Sequence, residues 1–368
     1  MKKRIIVSVI SDIVTDQRVQ KECRTLYNIG YDVVLLGRKS DRDFGLSGLP
    51  YRVKRFAVPF SRGPMMYLFF NLRLFFYLLF KRAGVLWSND LDTLLPNFLA
   101  SKLKGQKLVY DSHEYFTFSV YKKRSRKIWE RLEKYLFPRL KNVITVNDSL
   151  KNIYEAKYKL PVTVIRNVPL LQPAGNENQV LFPAGRKILI IQGMGINEHR
   201  GAEEAVVMMQ YLPEDFQLYF VGGGTIWKKL KQRVISMHLT DKVFFISSLP
   251  YNDMMKYTRA SFLGLILEKT GVSDHHLYAL PNKFFDYLQA RIPVLSSKVV
   301  EVEKLIDKYD VGAVVDETDP EQIAKSILDI ASDAATYNRW KLNTARAAEE
   351  LNWEREEKIL VDFMQALK

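Results

Sequence analysis

The sequence predicts an α/β protein of two Rossmann-like domains, each a doubly wound parallel sheet, facing a central cleft. Three observations carry this expectation. The 368 residues are about twice the usual domain length. Short β-rich runs alternate with helical stretches from one end to the other. Most of those runs are apolar throughout, as expected of parallel strands covered by helices on both faces. Two consecutive βαβ series of this kind imply two sheets. Ligands of such sheets gather at the carboxyl ends of the strands, so function should concentrate in the turns that follow them.

The first series opens with Arg4–Ile10, an apolar run too short for a signal peptide, which reads as a strand. SDIVTDQRVQKECRTLYNIGYD supplies a helix opened by Asp16 and Arg18 and a turn into the strand Val33–Leu36. Tyr51–Val58 is the third strand. Pro64–Phe80 is very apolar, yet it is short and holds Asn71 and Arg73. An arginine at mid-span is costly in lipid, so the stretch is expected to be a buried or interfacial helix feeding the strand Val85–Ser88. Lys107–Asp111, Asn142–Val146 and Val162–Arg166 complete the series. A seam near 168–186, rich in Pro, Gly and Asn, separates residues 1–170 from 171–351. The second series runs Lys187–Ile191, Gln217–Val221, Val243–Ile246, Leu263–Leu267, Pro293–Ser297 and Gly312–Val315.

Composition narrows the class. One cysteine, Cys23, allows no internal disulfide, which suits a cytoplasmic setting, and five scattered histidines give no metal-ligand spacing, so no metal is expected. Residues 1–170 hold 32 Lys and Arg against 14 Asp and Glu, whereas residues 171–368 hold 23 against 27. The first half is therefore built to sit near anions: nucleic acid, an anionic membrane or a phosphorylated substrate. No DNA- or RNA-binding motif accompanies the charge, so nucleic acid is not the expected partner. In YKKRSRKIWERLEKYLFPRLKN, helical periodicity puts Arg124, Lys127, Arg131 and Lys134 on one face. Ile128, Leu132, Tyr135 and Leu136 fall beside them, with Trp129 at the edge. The helix from Lys122 to Leu136 suits an anionic bilayer, or packs on the core with a solvated basic side.

Candidate site residues follow strands. Asp16 and Arg18 start a helix beside the first strand, an anion site or simply a capped helix. Ser112, His113, Glu114 and Tyr115 follow KLVYD, suiting either a ligand or a capping cluster. GMGINEHRGAEEAV brings Gly193, Gly195, Arg200 and Gly201 to a helix start, which suits a diphosphate. Gly222, Gly223 and Gly224 repeat the arrangement, though such glycines also let strand and helix pack closely. No P-loop sequence occurs. The most specific stretch, LPNKFFDYLQARIPVLSS, enters a helix through Pro281-Asn282-Lys283, with Asp286 in its first turn.

That stretch closely resembles the nucleotide-sugar motif P-x-K-x-[FL]-E-Y-[LM]-A-x-G-x-P-V of glycosyltransferase family 4 and its GT-B-fold relatives. LVYDSHEYF, GMGINEHRGAEEAV, LYFVGGG and the final LNWEREEKILVDFMQALK resemble further family elements in the family's order. The resemblance implies that residues from about 352 onward form a helix crossing back to the first domain. It gives Asp286 the ribose hydroxyls of a UDP-, GDP- or related nucleotide-sugar donor, and Arg200 the donor diphosphate. Lys283 would lie near the same phosphates, His113 would face the transferred sugar and acceptor, and Gly222 and Gly223 would pass close to base and ribose. With Asp16, Gly193, Gly195, Leu280 and Asn282 these make up the implied site, with His113, Arg200 and Lys283 its catalytic members. Cations and helix N-termini would stabilise the leaving nucleoside diphosphate, so no metal or other cofactor is implied.

Three departures from the family pattern stand out. Tyr278 stands where the first acid of the E-x7-E pair is expected, Met194 replaces a frequent arginine, and Val14-Thr15-Asp16-Gln17 replaces a Gly-Gly loop. The expected activity is retaining transfer of a sugar to a lipid-linked or saccharide acceptor at the cytoplasmic membrane face, in cell-surface polysaccharide or glycolipid assembly. A nucleotide-sugar epimerase on the same fold and a catalytically silent sugar-nucleotide-binding protein are the alternatives.

Overall fold

The computed structural model describes residues 3–39, 46, 48–119, 123–172, 182–316 and 319–367. Lys122 and most of the seam, residues 173–181, lie outside them. The chain divides into two compact units, residues 1–167 with 353–368, and residues 168–352.

In the first unit seven strands form one parallel sheet of order β3-β2-β1-β4-β5-β6-β7. They are β1 (Arg4–Ser8), β2 (Asp32–Arg38), β3 (Arg52–Phe56), β4 (Val85–Asn89), β5 (Lys107–Ser112), β6 (Asn142–Thr145) and β7 (Val162–Val164). The helices are α1 (Gln17–Asn28), α2 (Pro64–Phe80), α3 (Leu91–Lys104), α4 (Phe116–Ser119), α5 (Lys123–Leu136) and α6 (Asp148–Tyr158). The order reverses between β1 and β4, where Val7 pairs with both Leu35 and Trp87. β1 and β4 are buried almost throughout, which is why their sequences carry no alternation.

The second unit holds six parallel strands in the order β10-β9-β8-β11-β12-β13. These are β8 (Lys187–Gly193), β9 (Phe216–Gly222), β10 (Val243–Ser247), β11 (Leu263–Ile266), β12 (Val294–Ser297) and β13 (Gly312–Val315). Around them lie α7 (Ala202–Met208), α8 (Trp227–Ser236), α9 (Tyr251–Arg259), α10 (Asp274–Leu277), α11 (Asn282–Gln289), α12 (Val300–Tyr309), α13 (Pro320–Ser332) and α14 (Ala334–Glu350). Leu189, Ile191, Leu218, Phe220, Leu263 and Leu265 lie in its principal core, against α7, α8 and α13.

The last helix, α15 (Trp353–Gln365), belongs to the first unit. It packs on α1: Trp353 Nε1 donates to Thr25 Oγ1 at 3.2 Å, and the Lys21 ammonium lies 5.2 Å from the Trp353 ring. Glu356 accepts from the Arg166 backbone N–H at 2.8 Å, tying the helix to the chain just after β7.

The apolar stretch Pro64–Phe80 is the whole of α2, buried along one side and exposed along the other. No helix among the described residues is long and apolar enough to cross a membrane. On α5, Arg124, Lys127, Arg131 and Lys134 are exposed together, as the periodicity predicts. Its apolar face divides, however. Leu136 is buried and Leu132 half-buried, while Ile128 and Tyr135 are exposed. Trp129 is not an exposed edge residue: it packs edge-on against Tyr67 and Phe116, with centroids 5.6 and 5.1 Å away.

Candidate active site

In the second unit, β9, β8 and β11 lie side by side and end at the same edge. The carboxylate that organises this edge is Glu268, two residues beyond β11 and fully buried. Its Oε1 accepts from Arg200 Nη1 at 3.0 Å and lies 3.7 Å from Lys283 Nζ. Its Oε2 is 2.9 Å from His276 Nδ1, and Ser297 Oγ donates to its backbone carbonyl at 2.7 Å. Burial alone would raise the Glu268 pKa, but the hydrogen bond from His276 and the charges of Lys283 and Arg200 hold it down to about 2. Two cations from segments 83 positions apart in sequence thus converge on one ionised oxygen. Arg200 also donates to His275 Nε2 at 3.5 Å, and remains 26% exposed, whereas Lys283 is 12% exposed. Burial lowers the Lys283 pKa against the attraction of Glu268.

Asp286 lies in the same helix as Lys283. The sequence reading puts it in the first turn, but α11 begins at Asn282, so Asp286 is its fifth residue and lies outside that turn. It is not there to offset the helix dipole. Its Oδ2 accepts from Gln192 Nε2 at 3.1 Å and its Oδ1 from the Tyr251 hydroxyl at 2.9 Å. Gln192 is in turn fixed by the Thr258 hydroxyl. The carboxylate is therefore oriented against the end of β8 and 8% exposed.

The glycines after β8 and β9 divide by role. Gly222 has a φ of +136°, and a Cβ there would fall 2.1 Å from the Gly193 carbonyl oxygen, so the close pairing of the two strand ends demands glycine. Gly193 has a φ of +112°, but Cβ atoms on Gly193 or Gly195 would meet nothing within 4 Å. Their backbone is open to close approach. Met194 between them is exposed, Leu280 is half-buried and Asn282 exposed. Tyr278 follows α10, a short helix where the sequence suggests only a polar loop.

In the first unit, the ends of β4 and β5 hold a buried charge cluster. Arg18 clamps Asp111 with two bonds, Nε to Oδ2 at 3.1 Å and Nη2 to Oδ1 at 2.8 Å, and donates to the Ile165 carbonyl at 2.8 Å. Glu22 Oε1 lies 2.9 Å from Arg18 Nε, all of it buried. His113 Nε2 is 3.0 Å from Asn89 Oδ1 and 3.2 Å from Asp111 Oδ2, while Nδ1 is 3.6 Å from Asp90 Oδ2. Burial opposes the charged ring, but Asp90 and Asp111 raise the His113 pKa to about 10. It is an imidazolium at neutral pH and no ready base. Asp90 accepts from the His113 backbone N–H at 2.9 Å and has a φ of +55°, and burial raises its pKa to about 6. Glu22, Asp111 and His113 hold atoms close enough to share a metal ion, yet the Arg18 guanidinium already supplies a cation between the two carboxylates.

Arg18 is consequently not an exposed anion binder, since it is 1% exposed and spent on Asp111. Asp16 acts as the cap: its Oδ1 accepts from the Val19 N–H at 3.1 Å and its Oδ2 from the Ser11 hydroxyl. Among the expected residues, Arg200 and Lys283 are brought together around Glu268. Asp286 stands on the helix that carries Lys283. His113 and Asp16 belong to the first unit. Glu268, Asp90 and Asp111 carry much of the electrostatics and were not among the expected residues. Asp111 stands within LVYDSHEYF, and for Glu268 and Asp90 the one signal is position, since each follows a parallel strand.

The comparisons with known proteins bear on family and fold. Residues 17–168 match the family model "Glycosyltransferase Family 4", and residues 175–347 the model "Glycosyl transferases group 1". No curated protein matches the chain significantly. Solved structures do. Sucrose-phosphate synthase from Thermosynechococcus elongatus superposes with a TM-score of 0.83 at 17% identity, covering 100% of this chain and 99% of that one. Anabaena Alr3699/HepE in complex with UDP-glucose gives 0.77 at 13% identity, covering 99% and 100%. WaaG, a glycosyltransferase involved in lipopolysaccharide biosynthesis, gives 0.71 at 14% identity, covering 97% and 99%. With one family model on each unit and these neighbours spanning both, the chain belongs to the group 1 and family 4 glycosyltransferases of the GT-B fold.

Proposed function

We propose that the protein transfers a sugar, with retention and without a metal, from a UDP-sugar or related donor to a lipid-linked or saccharide acceptor in cell-surface polysaccharide or glycolipid assembly. The observation that carries this is the convergence of Arg200 and Lys283 on Glu268, on the unit that matches the group 1 model. As the glycosidic bond breaks, its electron pair goes to the diphosphate, and negative charge grows there. Two fixed cations stabilise that charge without reorganising. The acceptor oxygen attacks from the face the diphosphate leaves, and its proton passes to the departing phosphate oxygen.

Asp286 accepts from the ribose hydroxyls, Gly222 and Gly223 run beside base and ribose, and Gly193 and Gly195 admit the phosphates to the backbone. Leu280 and Asn282 flank the entry to α11. His113, held charged, presents its positive edge to the transferred sugar and acceptor, while Asp16 holds the loop it closes. HepE's complexes with UDP and UDP-glucose support a uridine donor, and WaaG's pathway supports a lipid-borne acceptor. The basic first unit, with α5 contributing, brings the enzyme to the anionic inner face of the cytoplasmic membrane.

The test is transfer from labelled UDP-glucose and related donors to a bacterial lipid extract and to oligosaccharides, with and without EDTA, with the product anomer read by NMR. EDTA-insensitive transfer that keeps the donor's α configuration supports the proposal. Interconversion of donor sugars without an acceptor, or nucleotide binding without transfer to any acceptor offered, would replace it with the epimerase or the silent binder.

A further inference from the structure

α2 is apolar on two opposite sides. Met66, Phe70, Leu74 and Leu78 are buried, while Met65, Leu68, Leu72, Phe76 and Phe80 are between 45% and 77% exposed. At 100° per residue the exposed five make a stripe roughly 120° wide, centred opposite the buried one. The neighbouring α3 repeats the pattern, exposing Leu95, Leu99 and Leu103 at a spacing of four. The two helices are fastened side by side: Asn71 Nδ2 donates to the Asp92 carbonyl at 2.9 Å, and Lys104 Nζ to that of Leu78 at 3.0 Å. Ile128 of α5, 63% exposed, adjoins Trp129, which rests on Tyr67 of α2. So large an exposed apolar surface marks an interaction site.

Its charges identify the occupant. The exposed charged side chains on α2 and α3 are Arg73 and Lys102, and the sole carboxylate on these helices, Asp92, is half-buried. On α5 the exposed charges are all cationic, with Glu130 half-buried and Glu133 buried. At the end of α2, Phe76, Tyr77 and Phe80 line a concavity of about 450 Å³ together with Lys54, Arg73 and Lys81. A second copy of this face would set cations against cations. An anionic bilayer satisfies both features, taking the stripe into its interfacial layer and the cations onto its phosphates.

We propose that α2 and α3 insert their outer stripe into the interfacial layer of an anionic bilayer, with the Lys54–Arg73–Lys81 concavity receiving a lipid phosphate. The proposal rests on the membrane contact proposed above and adds that apolar insertion, beyond charge, holds the protein there. Flotation with phosphatidylcholine vesicles, with and without phosphatidylglycerol, at low and high salt, compares the wild type with the triple variant Leu72→Ser, Phe76→Ser, Leu99→Ser. The wild type should float on anionic vesicles and stay largely bound at high salt. The triple variant, checked for an unchanged melting temperature, should lose binding about tenfold or more, since each lost contact is apolar. In a separate Leu72→Trp protein the added fluorescence should be quenched by lipids brominated in the acyl chain. A variant that floats like the wild type, with no quenching, overturns insertion and leaves charge-driven contact standing. A wild type that floats on neither vesicle overturns the membrane reading and this proposal together. A wild-type dimer made monomeric by the triple variant, in the absence of lipid, assigns the face to a second copy instead.

Discussion

Arg18 and Asp111 are 93 positions apart in sequence and fully buried together. Removing one partner strands the other charge, so Arg18→Ala should destabilise the protein by about 3–5 kcal/mol in urea titration. A loss below about 1 kcal/mol would mean that His113 balances Asp111 on its own. Arg200→Ala should lower turnover more than donor affinity, because the charge it meets grows during bond breaking, and Arg200→Lys should keep much of the activity. Wild-type rates in the alanine variant would remove Arg200 from the reaction. Asp286→Ala should weaken nucleoside diphosphate binding by about 1.5–3 kcal/mol in calorimetry with the fold intact. The His113 pKa is raised from 6.5 to about 10, so its contribution to stability is complete below pH 6.5 and is lost as pH rises toward 10. Melting temperatures across that window should fall more steeply for wild type than for His113→Gln, and parallel curves would place the ring outside the charge network. Asp286, Lys283 and Arg200 were legible because short motifs carry them. Glu268 and Asp90 were not, because their meaning lies in partners that only the folded sheet brings near.

At the scale of elements, most of the strands among the described residues could be read from unbroken apolar runs, since burial on both faces leaves that mark locally, whereas the edge strand β3, RVKRF, alternates. α10 escaped notice because four residues, DHHL, are too few for a helical period. The start of α11 was legible in Pro281-Asn282-Lys283, and only the extent of its first turn was read too generously, which put Asp286 inside it. Periodicity placed the cations of α5 together, but it could not show Trp129 turned onto Tyr67. Replacing Arg124, Lys127, Arg131 and Lys134 with Gln removes about 1 kcal/mol of attraction per cation near an anionic leaflet. Flotation on anionic vesicles should drop most at low salt, where the Debye length is long, with donor affinity unchanged. Equal flotation of variant and wild type would leave that face a solvated surface.

At the scale of the molecule, the division of labour is already visible in the charge. The basic excess lies in the first half of the chain, and the near-neutral half carries the convergent cations Arg200 and Lys283. Global charge favours a surface, whereas two fixed cations select a diphosphate. The central claim is that the second unit binds the nucleoside diphosphate of a sugar donor. A ligand present at 100 times its dissociation constant stabilises the native state by about 2.7 kcal/mol, enough to move the melting temperature by several degrees. The most direct measurement is therefore a thermal-shift series with UDP, GDP, ADP, TDP and their sugars, on wild type and Asp286→Ala. One base should raise the wild-type melting temperature, with its sugar conjugate acting likewise, and the shift should shrink in the variant. No shift with any of them, or an equal shift in both proteins, would contradict the account.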